Sequence, residues 1–276
     1  MRIDLRTLAI ACASACLVFC STSNPQPPID TNASSSSGGG SGGGTPLGDD
    51  DDSGASVDAA IFVPTGGFSV TGLLYDSTGV TPLSGASICL LATPNGCVST
   101  TSAGAFTING LVPKLSGITA TDTGYVNGVW ALTPTASLGS WNGYLRTQER
   151  INALAGQVNA TFASTTGAIH FIAYDATGNG LTGVTVTAST TGTVGYFDTS
   201  GATLGTASTG VAETTSDGGG MIFGLAAGTT VDVTFTAQGK TCVHHDSSGW
   251  DPKSPSATMS VPIVGGSLTF AGGTCT

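Results

Sequence analysis

Apolar residues in this chain come in short runs that alternate with polar ones, the period of a β-strand with one face in a core. Phe68, Val70 and Leu74 carry a broken form of this alternation, and residues 77–82 supply a turn. Ala86, Ile88 and Leu90 alternate next, with Ser87, Cys89 and Leu91 on the opposite face. Phe106 and Ile108 mark a third strand after the Ser102-Ala103-Gly104 turn, residues 118–121 a fourth, and residues 126–132 close the unit. The same order starts again at Ala168, with strands over residues 169–174, 184–188, 221–225 and 231–237.

The turns repeat as well as the strands. Tyr75-Asp76-Ser77-Thr78-Gly79 returns as Tyr174-Asp175-Ala176-Thr177-Gly178, and residues 100–111 align without a gap on residues 214–225. One supersecondary unit has been used twice. The second copy holds about twenty extra residues between its second and third strands, around Tyr196. That insertion is either a loop on a rigid scaffold, where contacts with partners concentrate, or a longer edge hairpin with its aromatics packed inward. Between the copies, residues 145–155 give a helical pattern with Ile151, Leu154 and Ala155 on one face, Thr147 as cap and Gly156 as the stop. This helix is expected to pack between two sandwiches and limit their relative motion.

The order Tyr-Asp-x-x-Gly, then Gly-Ala or Gly-Val opening a strand, then Thr-Thr-x-x-Gly-x-Phe-x-Ile-x-Gly-Leu and Gly-Tyr, resembles the carboxypeptidase regulatory-like domain family. The resemblance covers roughly residues 67–133 and 166–240 and is better in the first copy. In the second, Gly218-Gly219-Gly220-Met221 replaces the Gly-x-Phe spacing and Lys240 stands where Tyr125 does. It implies all-β architecture: two tandem prealbumin-like β-sandwiches, Greek-key and Ig-like, with one short connecting helix. It also implies a non-catalytic role, and no catalytic residue carries over from it.

Composition places the chain in a compartment. Charged residues are only 9% and the net charge is −10, with seven basic residues, so a nucleic-acid partner is excluded on electrostatic grounds. Residues 1–19 read as a signal peptide, with Arg2 and Arg6 ahead of an apolar stretch too short to span a membrane. Leu17-Val18-Phe19-Cys20 resembles a lipobox, whose Cys receives a lipid; Phe19 departs from the small residue expected there, and Cys16 is the other candidate. Residues 20–66 form a disordered N-terminal tether of Ser, Gly and four consecutive aspartates, with a reach on the order of 40 Å. The expected order is then a first sandwich at 67–140, a linker with the helix at 141–165, and a second sandwich with its insertion at 166–276. Lipidation of Cys20 leaves Cys89, Cys97, Cys242 and Cys275, an even number suited to two disulfides in an oxidising compartment. Cys89 and Cys97 bracket a turn at residues 92–96; Cys242 and Cys275 would tie the last strand to an earlier one.

Chemistry has few residues to draw on. Of three histidines, His170 lies in a strand pattern and the adjacent His244 and His245 would point to opposite faces of an extended chain. A metal-dependent or hydrolytic site at His244, His245 and Asp246 is the enzymatic alternative, whether in this chain or as an accessory of a secreted hydrolase. No cofactor or metal motif is present in the sequence. Trp130, Trp141, Tyr144, Tyr196 and Trp250 are the ligand-binding candidates: their faces either stack on a sugar or a protein anchor, or plug the ends of small sandwiches or fill the interface between them. The reading is a cell-envelope lipoprotein, membrane-anchored through Cys20 or else secreted, acting as a structural or binding module for an extracellular polysaccharide or protein.

Overall fold

In the computed structural model each copy reproduces the same bracket of hydrogen bonds around its first turn. The described residues are 67–276, apart from 92, 112–115, 133–136, 207, 209, 246–248 and 254–255. The expected signal peptide, Cys20 and the tether lie outside them, as does Asp246. In the first copy Thr100 Oγ1 donates to the Leu83 carbonyl at 2.6 Å and accepts from the Ala86 N–H at 3.0 Å. In the second, Thr214 Oγ1 donates to Leu181 at 2.5 Å and accepts from Val184 at 3.0 Å. Asp76 and Asp175 each accept from the N–H and hydroxyl of the Thr two residues on, which draws both carboxyls below their ordinary value. Gly104 and Gly218 have φ of 73° and 70°, and a Cβ at either would run into the carbonyl oxygen of Leu74 or Ala173.

Seven elements of the first copy are strands: β1 (Phe68–Asp76), β2 (Ser87–Leu90), β3 (Thr93–Ser99), β4 (Ala105–Leu111), β5 (Ser116–Thr121), β6 (Asn127–Leu132) and β7 (Leu138–Leu145). Helix α1 (Gln148–Gln157) follows. The second copy runs β8 (Thr166–Tyr174), β9 (Val184–Ala188), β10 (Thr193–Phe197), β11 (Leu204–Gly205), β12 (Gly219–Ala226), β13 (Thr230–Ala237), β14 (Cys242–His244), β15 (Asp251–Pro252), β16 (Thr258–Pro262) and β17 (Ser267–Cys275). In each copy the last strand returns to lie parallel to the first, β7 on β1 and β17 on β8. The residues from 141 to 145, assigned from sequence to the linker, are thus the inner half of β7. The chain also reverses earlier than the 92–96 turn expected: Leu90 pairs with Thr93, so residues 93–96 belong to β3.

The two copies share a sheet. β17 pairs with β8 along one edge and, through Ser267, Leu268 and Thr269, with Asn127, Gly128 and Val129 of β6 along the other. The result is a ten-stranded sheet in the order β11-β10-β12-β8-β17-β6-β5-β2-β3, with β14 also on β17. One face carries Ile118, Trp130, Ala168, Phe197, Met221 and Phe270 and packs on the β4-β1-β7 sheet and α1. The other carries Val129, Ile169, Phe171, Ile222 and Ala271 and packs on the sheet β15-β16-β13-β9. Parallel strands β8, β17 and β6 are therefore covered on both faces, the setting in which parallel pairing is normally found. The described residues from 67 to 276 accordingly belong to one compact unit.

Helix α1 begins as its sequence indicates, Thr147 Oγ1 accepting from the Arg150 N–H at 3.2 Å, and buries Ile151, Leu154 and Ala155. It runs past Gly156 to a Val158 cap, and the left-handed residue is Asn159, φ 54°. Gln157 Oε1 accepts from the Leu204 N–H at 2.7 Å, and Arg150 donates to the Ala202 carbonyl, so the helix is pinned to the inserted β10–β11 hairpin. Both expected disulfides are formed, Cys89–Cys97 between β2 and β3 and Cys242–Cys275 between β14 and β17. Their separations of 8 and 33 residues imply unequal worth. Replacing Cys242 and Cys275 together by Ala is expected to cost about 4 kcal/mol and the other pair about 2.5, read as the difference in denaturation free energy of the two double variants.

Candidate functional site

Side chains from both copies meet at the junction around β17. Tyr144 on β7 sends its hydroxyl to Nδ1 of His170 on β8, 3.0 Å away. Phe270 on β17 lies edge-on to both rings, with centroids at 5.2 Å from each, and Phe197 on β10 closes the far side of His170 at 5.7 Å. The guanidinium of Arg146, just beyond β7, sits over the rings of Tyr144 and Phe197 at 5.6 and 5.5 Å, a cation–π arrangement, and its Nε is buried without a hydrogen-bond partner.

Burial sets the protonation of this cluster. It holds His170 neutral, well below its ordinary pKa, and the nearby Arg146 charge acts in the same direction. The Tyr144 hydroxyl is pushed up to about 12 by burial, against the opposing pull of Arg146. The Asp217 carboxyl, at the start of β12, is raised by desolvation, while the Arg146 charge opposes the shift. A neutral imidazole bonded to a protonated phenol, packed among aromatic rings, is an arrangement for packing and for joining the copies. It presents no nucleophile activated by a base.

The aromatic ligand candidates are divided between core and surface. Trp130 is stacked flat on Phe270, centroids 4.7 Å apart and planes 7° off parallel, and meets Trp141 edge-on at 5.2 Å. Its ring also lies over Gly128, where any Cβ would collide with it. Trp250 is 4% exposed and donates its indole N–H to the Phe270 carbonyl at 2.8 Å, in the gap of the β17 edge between β6 and β14. Tyr196, equally buried, holds the edge of β9: its hydroxyl accepts from the Val186 N–H at 3.0 Å and donates to the Val186 carbonyl at 3.3 Å. Faces of these three are taken by protein. Trp141 and Tyr144 keep part of their surface but pack on the same core.

The histidine pair is also separated. His244 lies on β14, with its buried Nδ1 unpaired, whereas the His245 ring sits on Tyr174 at 4.5 Å. Among the described residues no group of three His, Cys, Asp or Glu side chains could hold a metal ion. None of the described helices is long and apolar enough to cross a membrane. His170 reads in sequence as one more member of the apolar run of β8, and its partners Tyr144 and Arg146 belong to the other copy, so no local signal joins them.

No family model and no curated protein sequence matches this chain. Solved structures similar to it include a type II cohesin–X-dockerin complex of Acetivibrio cellulolyticus, 18% identical over 28% of this chain and 53% of that one, with a TM-score of 0.24. The Bacillus anthracis TIE protein is 12% identical over 75% of this chain and 34% of that one, TM-score 0.24. The shaft pilin SpaA of Lactobacillus rhamnosus GG is 16% identical over 76% and 98%, TM-score 0.23. This chain spans about half and about a third of the first two.

Proposed function

We propose that this chain is a non-catalytic module of the cell envelope, a lipoprotein held in a membrane through Cys20 and set off from it by the 20–66 tether. Its two copies, each of the carboxypeptidase regulatory-like kind, act as a rigid structural or binding unit toward an extracellular polysaccharide or protein. The observation that carries this reading is the fusion of the copies: one sheet, closed by β17, which Cys242–Cys275 ties to β14, with Trp130, Tyr144, His170 and Phe270 packed at the joint. Pairing of Cys89, Cys97, Cys242 and Cys275 suits an oxidising compartment.

Two measurements test it. In detergent phase partitioning the wild-type chain enters the detergent phase and Cys20→Ser moves to the aqueous phase; unchanged partitioning removes the anchor. A hydrolase screen run beside pull-down on insoluble polysaccharides is expected to show no turnover. Turnover abolished by His245→Ala would replace the non-catalytic reading with a hydrolytic one.

A further inference from the structure

The two copies treat equivalent strand edges differently. In the first copy, β6 follows β5 after a short turn, and its outer edge takes β17. Its equivalent in the second copy is β16, which pairs with β13 as β6 does with β5. Register makes the match residue by residue. Cys89 faces Thr119, which faces Val129; in the second copy Thr187 faces Thr234, which faces Thr258. Val129 is the residue that pairs with Thr269 of β17. At Thr258 that place is occupied by the chain itself: the Lys253 N–H donates to the Thr258 carbonyl at 2.8 Å, and β15 pairs with Met259 and Ser260. The Lys253 ammonium is held 2.8 Å from Asp232 of β13, which fixes the strap across the edge.

The complementary edge is open. β7 is the counterpart of β17, each lying parallel to the first strand of its copy, and Val70↔Leu138 corresponds to Ile169↔Thr269. Where Thr269 is buried against β6, Leu138 is 39% exposed, and Gly139 and Ser140 beside it are exposed as well. No described residue pairs with the outer edge of β7. Leu138 is one of only three large apolar side chains exposed among the described residues. An unpaired edge with an exposed apolar residue is a template for another strand.

We infer that β15 and Lys253 form a cap over a self-association edge: uncapped β16 takes β7 of a second copy of this chain, in parallel, with Leu138 against Thr258, as β6 takes β17 within one chain. Such a contact is heterologous, joining the rear of one molecule to the front of the next, so it generates open chains of molecules instead of a closed dimer. The cap keeps the chain single, as terminal repeats commonly do. This inference is independent of the ligand of the module.

The test is the mass of the full-length chain in detergent by light scattering after gel filtration, at a salt concentration that screens its charge of −10. The unmodified chain elutes at the mass of one copy. Asp251→Gly, Pro252→Gly and Lys253→Gly together give species that grow with concentration to multiples of that mass, and adding Leu138→Lys with Ser140→Lys returns the single-copy mass. Lys253→Asp alone, which places a like charge against Asp232 at an exposed pair, shifts mass in the same direction with little effect on folding. A variant that keeps both disulfides and the native circular dichroism yet stays at one copy throughout overturns the inference. So does association that persists unchanged with the two β7 lysines.

Discussion

Replacing Phe270 with Ala is expected to lower the stability of residues 67–276 by about 3–5 kcal/mol, at the upper end of core truncations. Phe270 is stacked on Trp130 from the first copy and touches Tyr144 and His170 from either side of the junction. Its removal leaves the Trp130 ring without its flat partner and opens a void between copies that rigid sheets cannot close. Because β17 belongs to both copies, denaturation should remain a single transition, with tryptophan fluorescence and far-ultraviolet circular dichroism moving together. Two separated transitions, or a loss below about 1 kcal/mol, would show that the copies are stabilised independently and that β17 is an accessory contact.

The second large effect is on pH dependence. His170 stays neutral in the folded chain, whereas in the unfolded chain it binds a proton near its ordinary value of about 6.5. Below that value the unfolded state holds more protons than the folded one, so stability falls as the medium becomes more acidic. The slope approaches about 1.4 kcal/mol per pH unit and persists until the folded-state pKa is reached. The charge facing the ring reinforces this sign, since Arg146 disfavours a second positive charge, and the Tyr144 hydroxyl, held protonated by burial, hydrogen-bonds Nδ1 without adding a negative charge beside it. Asp76, Asp175, Asp198 and Asp232 are lowered below the carboxylate value of 3.8, so their contributions change on the acid side of the window between pH 7.5 and 5, whereas Asp217 is raised above it and acts with the opposite sign, gaining stability on acidification. Urea denaturation of wild type and His170→Phe across that window should show the slope reduced in the variant. Equal slopes would mean that His170 protonates without penalty and that the junction admits water.

Much of the strand order was legible in the sequence because its determinants are local. The Asp76 and Asp175 turns and the left-handed Gly104 and Gly218 act over a few residues, and the Thr100 and Thr214 brackets, though reaching 17 and 33 residues back, stay within their own copy, so duplication of the motif predicts duplication of the bonds. Helix α1 was legible for the same reason, through Thr147 and the Ile151, Leu154, Ala155 face. The joining of the copies was not. Ser267 meets Asn127 across a parallel ladder, and nothing near either residue records the other. With that pairing hidden, the junction residues fell under separate readings: Trp130 and Trp250 as ligand platforms or as filling in and between sandwiches, His170 as a strand residue, Arg146 as part of a linker. Tyr196 shows a further limit. An aromatic in an inserted segment fits an exposed contact and an inward-packed edge hairpin equally; what decides is that its hydroxyl satisfies the Val186 edge, a demand that arises only once β9 is the last strand of its sheet.

The position of β17 also governs when the molecule can be completed. It is made after every other strand described, and both β8 and β6 wait for it, so the sheet common to the copies cannot close before residues 267–275 have been made. A nascent or threading chain can form the local turns and hairpins of the first copy, but the edge of β6 and the flat face of Trp130 stay open until β17 arrives. Delayed closure of this kind suits translocation through the route proposed for residues 1–19, with the common sheet closed on the far side by the nine residues of β17 and sealed there by the Cys242–Cys275 bond.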